Sequence, residues 1–321
     1  MVIKIGVTGW GDHDSLYPDT YTNKNKLKTY SNHFPIVEVD SAFYAVQSER
    51  NYAKWVQETP SHFSFVVKAL GTLTGHTREG IKAAELDALF DRYLSSVEPV
   101  REAGKLKALG TLTGHTREGI KAAELDALFD RYLSSVEPVR EAGKLKALLF
   151  QFPPWFDCKA ENVHYLRYIK AKLGNIPAAI EFRNQTWFRD NYRERTLSFM
   201  EEEEWIHTIC DEPQAGAGSI PTILHPTHKN LTLVRFHGRN VHGWNNHGQD
   251  NWRKVRFLYR YTKEELVEWV NHIRELEKKT KEICILFNNN SGGDAVHNAK
   301  QLMGLLNIEY GEKMPEQMEL F

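Results

Sequence analysis

The sequence predicts an α/β protein folded as a single (β/α)8 TIM-like barrel. Three observations carry this expectation. Eight short apolar segments, rich in β-branched and aromatic residues, alternate with amphipathic helical patterns along the chain, which is the signature of a parallel sheet with crossover helices. The chain has 321 residues, 41% hydrophobic and 26% charged, an ordinary globular composition long enough for one closed barrel. No Gly-x-Gly-x-x-Gly run follows the first strand, which weighs against an open dinucleotide-binding sheet.

In chain order the expected strands are Ile3–Thr8, Ile36–Asp40, Phe63–Ala69, Ala147–Phe152, Ala178–Phe182, Ile206–Cys210, Leu231–His237 and Glu282–Asn288. Helical spacing is read near Ser48–Glu58, Asn162–Leu173 and Tyr192–Glu203, and again at Lys263–Lys279 and Ala295–Leu306. Residues 1–310 are read as one barrel and residues 311–321 as a mobile polar extension.

Between the third and fourth strands the chain repeats itself. Ala69–Lys107 recurs without a change as Ala108–Lys146, a unit of 39 residues. Solenoid repeats diverge and need at least three copies, so two identical copies read as a duplication within one fold. Each copy carries an amphipathic helix: Leu86, Leu89, Phe90, Tyr93, Leu94 and Val97 in the first, Leu125, Leu128, Phe129, Tyr132, Leu133 and Val136 in the second. The fold needs one of the two, so one helical segment is redundant. A spare apolar face of that kind is a source of oligomers.

The formal net charge is −1, which excludes a strongly basic nucleic-acid-coating surface but leaves room for a local cationic pocket. Cys158, Cys210 and Cys284 have no metal-binding or redox spacing and read as reduced thiols of a cytoplasmic protein. The first residues already form a strand pattern rather than a signal peptide, and no apolar run suits a membrane span.

Barrel enzymes carry their chemistry at the C-terminal strand ends. Polar residues gather there: Glu38 and Asp40 on one face of strand two, Lys68 on strand three, Gln151 on strand four. Glu181 and Arg183 share a face of strand five, Asp211 ends strand six, Arg235 and His237 share a face of strand seven, and Asn288 and Asn289 follow strand eight. Buried polar groups at strand ends are costly unless paired or functional.

These residues lie in motifs that resemble the YecE-like family, domain-of-unknown-function family 72. The matching pieces are Ile5-Gly6-Val7-Thr8-Gly9-Trp10, Val37-Glu38-Val39-Asp40-Ser41-Ala42-Phe43-Tyr44 and Phe65-Val66-Val67-Lys68-Ala69. They continue with Leu149-Phe150-Gln151-Phe152-Pro153-Pro154, Glu181-Phe182-Arg183 with Trp187, Val234-Arg235-Phe236-His237-Gly238, and Phe287-Asn288-Asn289 with Ala295 and Asn298-Ala299. The resemblance implies a TIM-like barrel and assigns no activity. Two departures stand out. The family's Thr-His after the lysine strand becomes Thr74-Gly75-His76, duplicated as Thr113-Gly114-His115, and Asp40 stands where the resemblance implies Asn in many relatives.

Arg183, Arg235 and Lys68 predict recognition of an anionic, phosphate-type ligand, since guanidinium forks match phosphate and carboxylate geometry. The alternative is that Glu38, Asp40, Glu181 and Asp211 neutralise them as structural ion pairs. The acid–base candidates are Glu181, Glu38 and His237, with Lys68 stabilising developing charge. Gln151, Asn288 and Asn289 are further ligand contacts, and Trp10, Phe43, Tyr44, Trp187 and Trp244 are candidate walls for a base or sugar. One divalent metal is a candidate cofactor, with Glu38, Asp40, Glu181, Asp211 and His237 as potential ligands. His242 and His247 read as exposed loop histidines.

Three functions fit: a phosphodiesterase-like hydrolase acting on a phosphate ester or nucleic acid, a noncatalytic nucleic-acid or clamp adaptor, and an isomerase or lyase on a small sugar or carboxylate. Gln317-Met318-Glu319-Leu320-Phe321 resembles the peptide by which bacterial proteins dock on the DNA sliding clamp, so Gln317, Leu320 and Phe321 are candidate partner contacts.

Overall fold

A computed structural model describes residues 2–17, 25–76, 122–189, 191–216, 219–244 and 255–310. Its strands are β1 (Val2–Thr8), β2 (Ile36–Val39), β3 (Ser64–Lys68), β4 (Leu145–Gln151), β5 (Ala178–Glu181), β6 (Ile206–Asp211), β7 (Thr232–Phe236) and β8 (Glu282–Phe287). Each pairs in parallel with the next, and β8 closes onto β1, so the sheet is a complete barrel. The described helices are α1 (Lys26–Ser31), α2 (Glu49–Gln57), α3 (Ala122–Glu141), α4 (Ala160–Leu173), α5 (Arg193–Glu202), α6 (Val241–Trp244), α7 (Lys263–Leu276) and α8 (Asp294–Leu306). Among the described residues, no helix is long and apolar enough to cross a membrane.

Strand ends agree with the sequence reading to within two residues. The helices that periodicity missed, α1 and α6, are less than two turns long, too short to display a 3.6-residue repeat.

Alternation along each strand divides the apolar residues into two sets. One set lines the barrel interior: Ile36, Val66, Ala147, Leu149, Ala179, Ile206, Leu233 and Leu286. The other packs outward in a far larger cluster beneath the helices, with Tyr30, Tyr132, Trp205 and Trp269 among its buried side chains. The interior layer has polar ends. At the N-terminal end Lys4 Nζ donates to Ser64 Oγ at 2.7 Å and Lys146 pairs with Glu282 at 2.8 Å. At the C-terminal end, one step of two residues beyond the apolar layer, stand Glu38, Lys68, Gln151, Glu181 and Arg235.

Closure of the barrel needs β1 and β2 to approach closely. A Cβ on Gly6 would lie 2.0 Å from the carbonyl oxygen of Ile36, so only glycine fits there.

Among the described residues the two copies together supply one unit. Residues 69–76 of the first copy continue β3 into a tight turn, and residues 122–146 of the second copy supply α3 and the start of β4. Together these are positions 1–8 and 15–39 of a single unit. The helix read in the first copy lies outside the described residues, as do His115, His247 and the segment 311–321 with Gln317, Leu320 and Phe321.

Candidate functional site

A chain of alternating charges crosses the C-terminal mouth of the barrel. Arg235, on β7, grips Glu38 on β2 with two nearly parallel bonds, Nε to Oε2 at 2.9 Å and a terminal nitrogen to Oε1 at 2.7 Å. Its other terminal nitrogen donates to Glu181 Oε2 at 2.5 Å. Arg183, two residues beyond Glu181 on the same face, makes short ion pairs with Glu181 and with Glu212, which follows β6. All five side chains are at most 5% exposed. Charges buried this deeply survive only when each has a partner.

His237 joins the same cluster. Its Nε2 lies 2.9 Å from an Arg183 nitrogen and 3.4 Å from Glu181 Oε1. An arginine can only donate, so the Arg183 contact calls for a lone pair on His237 Nε2, while the Glu181 contact calls for a proton there. The side-chain Nδ2 of Asn288 sits 3.0 Å from Nδ1. Burial and the Arg183 charge hold the His237 pKa well below the ordinary histidine value, so the ring is neutral.

The carboxylates do not titrate alike. Burial opposes the charged form of Glu181, but Arg183 and Arg235 together hold its pKa well below the usual range. Burial wins at Glu38 and raises it despite Arg235 and Lys68. It also pushes Glu212 up to about 7 against the Arg183 charge. Burial and the repulsion of Arg235 bring Lys68 down to about 8.

Lys68 differs from the two arginines. Its ammonium stands over the Phe43 ring, 4.6 Å from the centroid, a favourable cation–π contact. Among the described residues no carboxylate lies within ion-pair distance of it. Phe43 also touches His76, with ring centroids 4.9 Å apart. Thus the first-copy histidine of the Thr-Gly-His motif stands at the mouth, its Nδ1 2.9 Å from Thr74 Oγ1. One side of the ring is open to solvent, yet desolvation of the rest and the nearby Lys68 and Arg183 charges draw its pKa down to about 4.

Several residues read from sequence as contacts are placed elsewhere. Asp211 is one step out of phase with the inward-facing Cys210. It points to the outer layer, where Tyr261 Oη, Trp269 Nε1 and the Arg239 guanidinium donate to it at 2.8, 2.5 and 2.6 Å. Asn289 is likewise out of phase with Asn288 and donates to Asn298 Oδ1 at 2.9 Å and to the Tyr259 carbonyl at 2.8 Å. Both tie strand ends to the helical layer. Trp187 stacks on Phe182 in the core, 4.1 Å between centroids, with its indole N–H on the Phe156 carbonyl. Trp10 is half-buried and edge-on to Trp55. Asp40 heads the turn after β2 and faces the mouth beside Gly9, its carboxyl raised by burial despite Lys68. Gln151 is half-buried, level with Glu181 in the β4–β5 register. Tyr44 stands on the rim, and Trp244 is buried under Arg256, whose guanidinium carbon is 3.8 Å from a Trp244 ring centroid. His242 is exposed on α6.

Sequence reasoning missed Glu212 and Cys210 as members of the cluster. Parity could have found Cys210, which sits four residues along β6 from the interior Ile206. Glu212 lies just beyond the strand, where alternation no longer reports direction.

Glu181, Cys210 and His237 offer ligand atoms within 4.8 Å of one another, which is metal-binding spacing. The donors are already engaged, however. A cation entering there would have to displace Arg183 from both Glu181 and His237, and burial raises the Cys210 thiol far above neutrality. Of the other ligand candidates, Glu38 is spent on Arg235 and Asp211 faces outward.

A closed barrel whose mouth is floored by a buried carboxylate–guanidinium chain, with Lys68 beside it outside ion-pair distance of any carboxylate among the described residues, defines the class of protein. The chain belongs to the DUF72 family: the family model described as "Protein of unknown function DUF72" matches residues 4–319. UPF0759 protein YunF of Bacillus subtilis (strain 168) is 49% identical over the full length of both chains. Among solved structures, a DUF72 family protein from Enterococcus faecalis V583 superposes with a TM-score of 0.80 at 31% identity, covering 99% of this chain and 100% of that one. A DUF72 family protein from Thermotoga maritima MSB8 gives a TM-score of 0.71 at 26% identity, covering 96% and 100%.

Proposed function

We propose that the barrel mouth binds a small phosphate-type anion through Lys68 and performs acid–base chemistry on the ester that carries it. The observation behind this reading is the Lys68 ammonium, a mouth-facing cation with no carboxylate within ion-pair distance among the described residues, beside two arginines that each hold two. An anion at Lys68 would supply the missing countercharge and gain from the low local dielectric. In this reading Arg183 and Arg235 position the site rather than grip the ligand, because their forks are filled by Glu38, Glu181 and Glu212. Glu212, poised near 7, is the group suited to move a proton at neutral pH, with His237, held neutral by burial and the Arg183 charge, as the hydrogen-bonding partner beside it. Hydrolysis of a phosphate ester is the reaction class that uses both.

The test is calorimetric titration of inorganic phosphate into the protein at low and moderate salt. Wild type is expected to bind in a salt-dependent manner and Lys68→Met to lose at least about tenfold in affinity. Absence of binding at low salt sinks the reading. Turnover of an activated phosphodiester, lost in His237→Ala, separates an enzyme from a noncatalytic binder.

The pentapeptide Gln317–Phe321 supports an independent reading as a sliding-clamp ligand. Removing Leu320 and Phe321 is expected to abolish capture by a bacterial clamp and to leave phosphate binding intact; clamp binding that survives the truncation rejects it.

A further inference from the structure

The residues around Lys68 say more about the ligand than its charge. Trp187, Trp205, Trp244 and Trp269 are at most 1% exposed, whereas Trp155 is 56% exposed and Tyr44 is 72% exposed. Both exposed rings stand on the mouth rim, in the segments that follow β4 and β2. Trp155 is held there by design of the backbone. Its six-membered ring lies against Gly75, where a Cβ would come within 2.5 Å, and Gly75 has φ +76°, a left-handed conformation that disfavours any side chain. Tyr44 meets the edge of Phe43 at 5.3 Å between centroids, the same Phe43 that carries the Lys68 ammonium and touches His76. Three consecutive strand ends therefore deliver, from the centre outward, a cation, a neutral histidine and two open aromatic faces.

Resting on the anion reading above, we infer that the ligand is a nucleotide: its phosphate meets Lys68 and its base stacks on Trp155, with Tyr44 as the neighbouring wall. An indole face accepts any base through its π surface and contributes a substantial share of affinity. Of the mouth carboxylates that could read a sugar's hydroxyls, Glu38, Glu181 and Glu212 are buried on arginines, which leaves the exposed rings as the larger recognition surface.

Binding of adenosine 5′-monophosphate, ribose 5-phosphate and inorganic phosphate to the full chain is compared by calorimetry. The nucleotide is expected to bind about tenfold or more tightly than ribose 5-phosphate. Trp155→Ala should erase that difference while leaving the other two affinities unchanged, and Trp155→Phe should restore most of it. Equal binding of nucleotide and ribose 5-phosphate to wild type, or equal loss for all three ligands in Trp155→Ala, overturns base stacking alone. Failure of phosphate itself to bind overturns the anion reading and this one together.

Discussion

Lys68 and Arg235 occupy the same layer of the barrel, yet they answer to different physics. Arg235 has its charge matched twice, so its contribution is structural. Removing the Glu38 carboxylate leaves a guanidinium at 1% exposure with half its partners gone. Breaking a buried pair from one side costs about 3–5 kcal/mol, so Glu38→Ala is expected to lower the unfolding free energy by that amount, read as a lower urea midpoint at an unchanged slope; a loss under about 1 kcal/mol would falsify the assignment. Lys68 has no such match. Its pKa, brought down to about 8 by burial and Arg235, keeps it protonated at pH 7 and discharges it as pH rises. The Lys68 contribution to anion affinity, read as the difference between wild type and Lys68→Met, should therefore be constant below pH 7 and fall about tenfold per unit above pH 8. A flat profile to pH 10 would place the binding charge elsewhere.

Between elements, the decisive contacts are close approaches and staples. Gly6 lets β1 lie against β2 without a side chain between them. Gly6→Ala forces its Cβ into the Ile36 carbonyl, and overpacking of this kind typically costs about 1–3 kcal/mol. Thermal unfolding should show it, whereas Gly11→Ala, where nothing lies within 4 Å, should be nearly neutral. Asn298 on α8 is the staple at the other end of the fold. It accepts from Tyr261 N at 3.1 Å and from Asn289, and donates to the Tyr261 carbonyl at 3.0 Å. The paired motif residues Asn289 and Asn298 thus hold β8, α8 and the segment before α7 together. Parity along a strand would have sorted them: Asn288 continues the inward phase of Leu286, and Asn289 does not.

At the scale of the whole molecule, the duplication is the unusual feature. Deleting residues 77–115 or residues 69–107 yields the same 282-residue chain, because the copies are identical. That chain keeps the β3 turn, α3 and β4 in sequence, so it is expected to match the full-length protein in thermal midpoint within a few degrees and in phosphate binding. Aggregation or a large drop in midpoint would show that the extra unit has become part of the fold. Long insertions between elements cost little because closure entropy grows only logarithmically with length.

The sequence by itself determined the strands, their order and the set of polar residues that ends them, because alternation and apolar runs are local patterns. It also put Glu181 with Arg183 and Arg235 with His237 on shared faces, but it did not separate Asp211 and Asn289 as outward residues. Which cation met which carboxylate was decided only by closure of the barrel. Arg235 and Glu38 are 197 residues apart, and no local pattern relates them. The same closure turned two arginines that looked like ligand forks into the floor of the site and left Lys68 as the open charge. Charge balance within a buried layer depends on all its members at once, so it emerges only when every strand is in register.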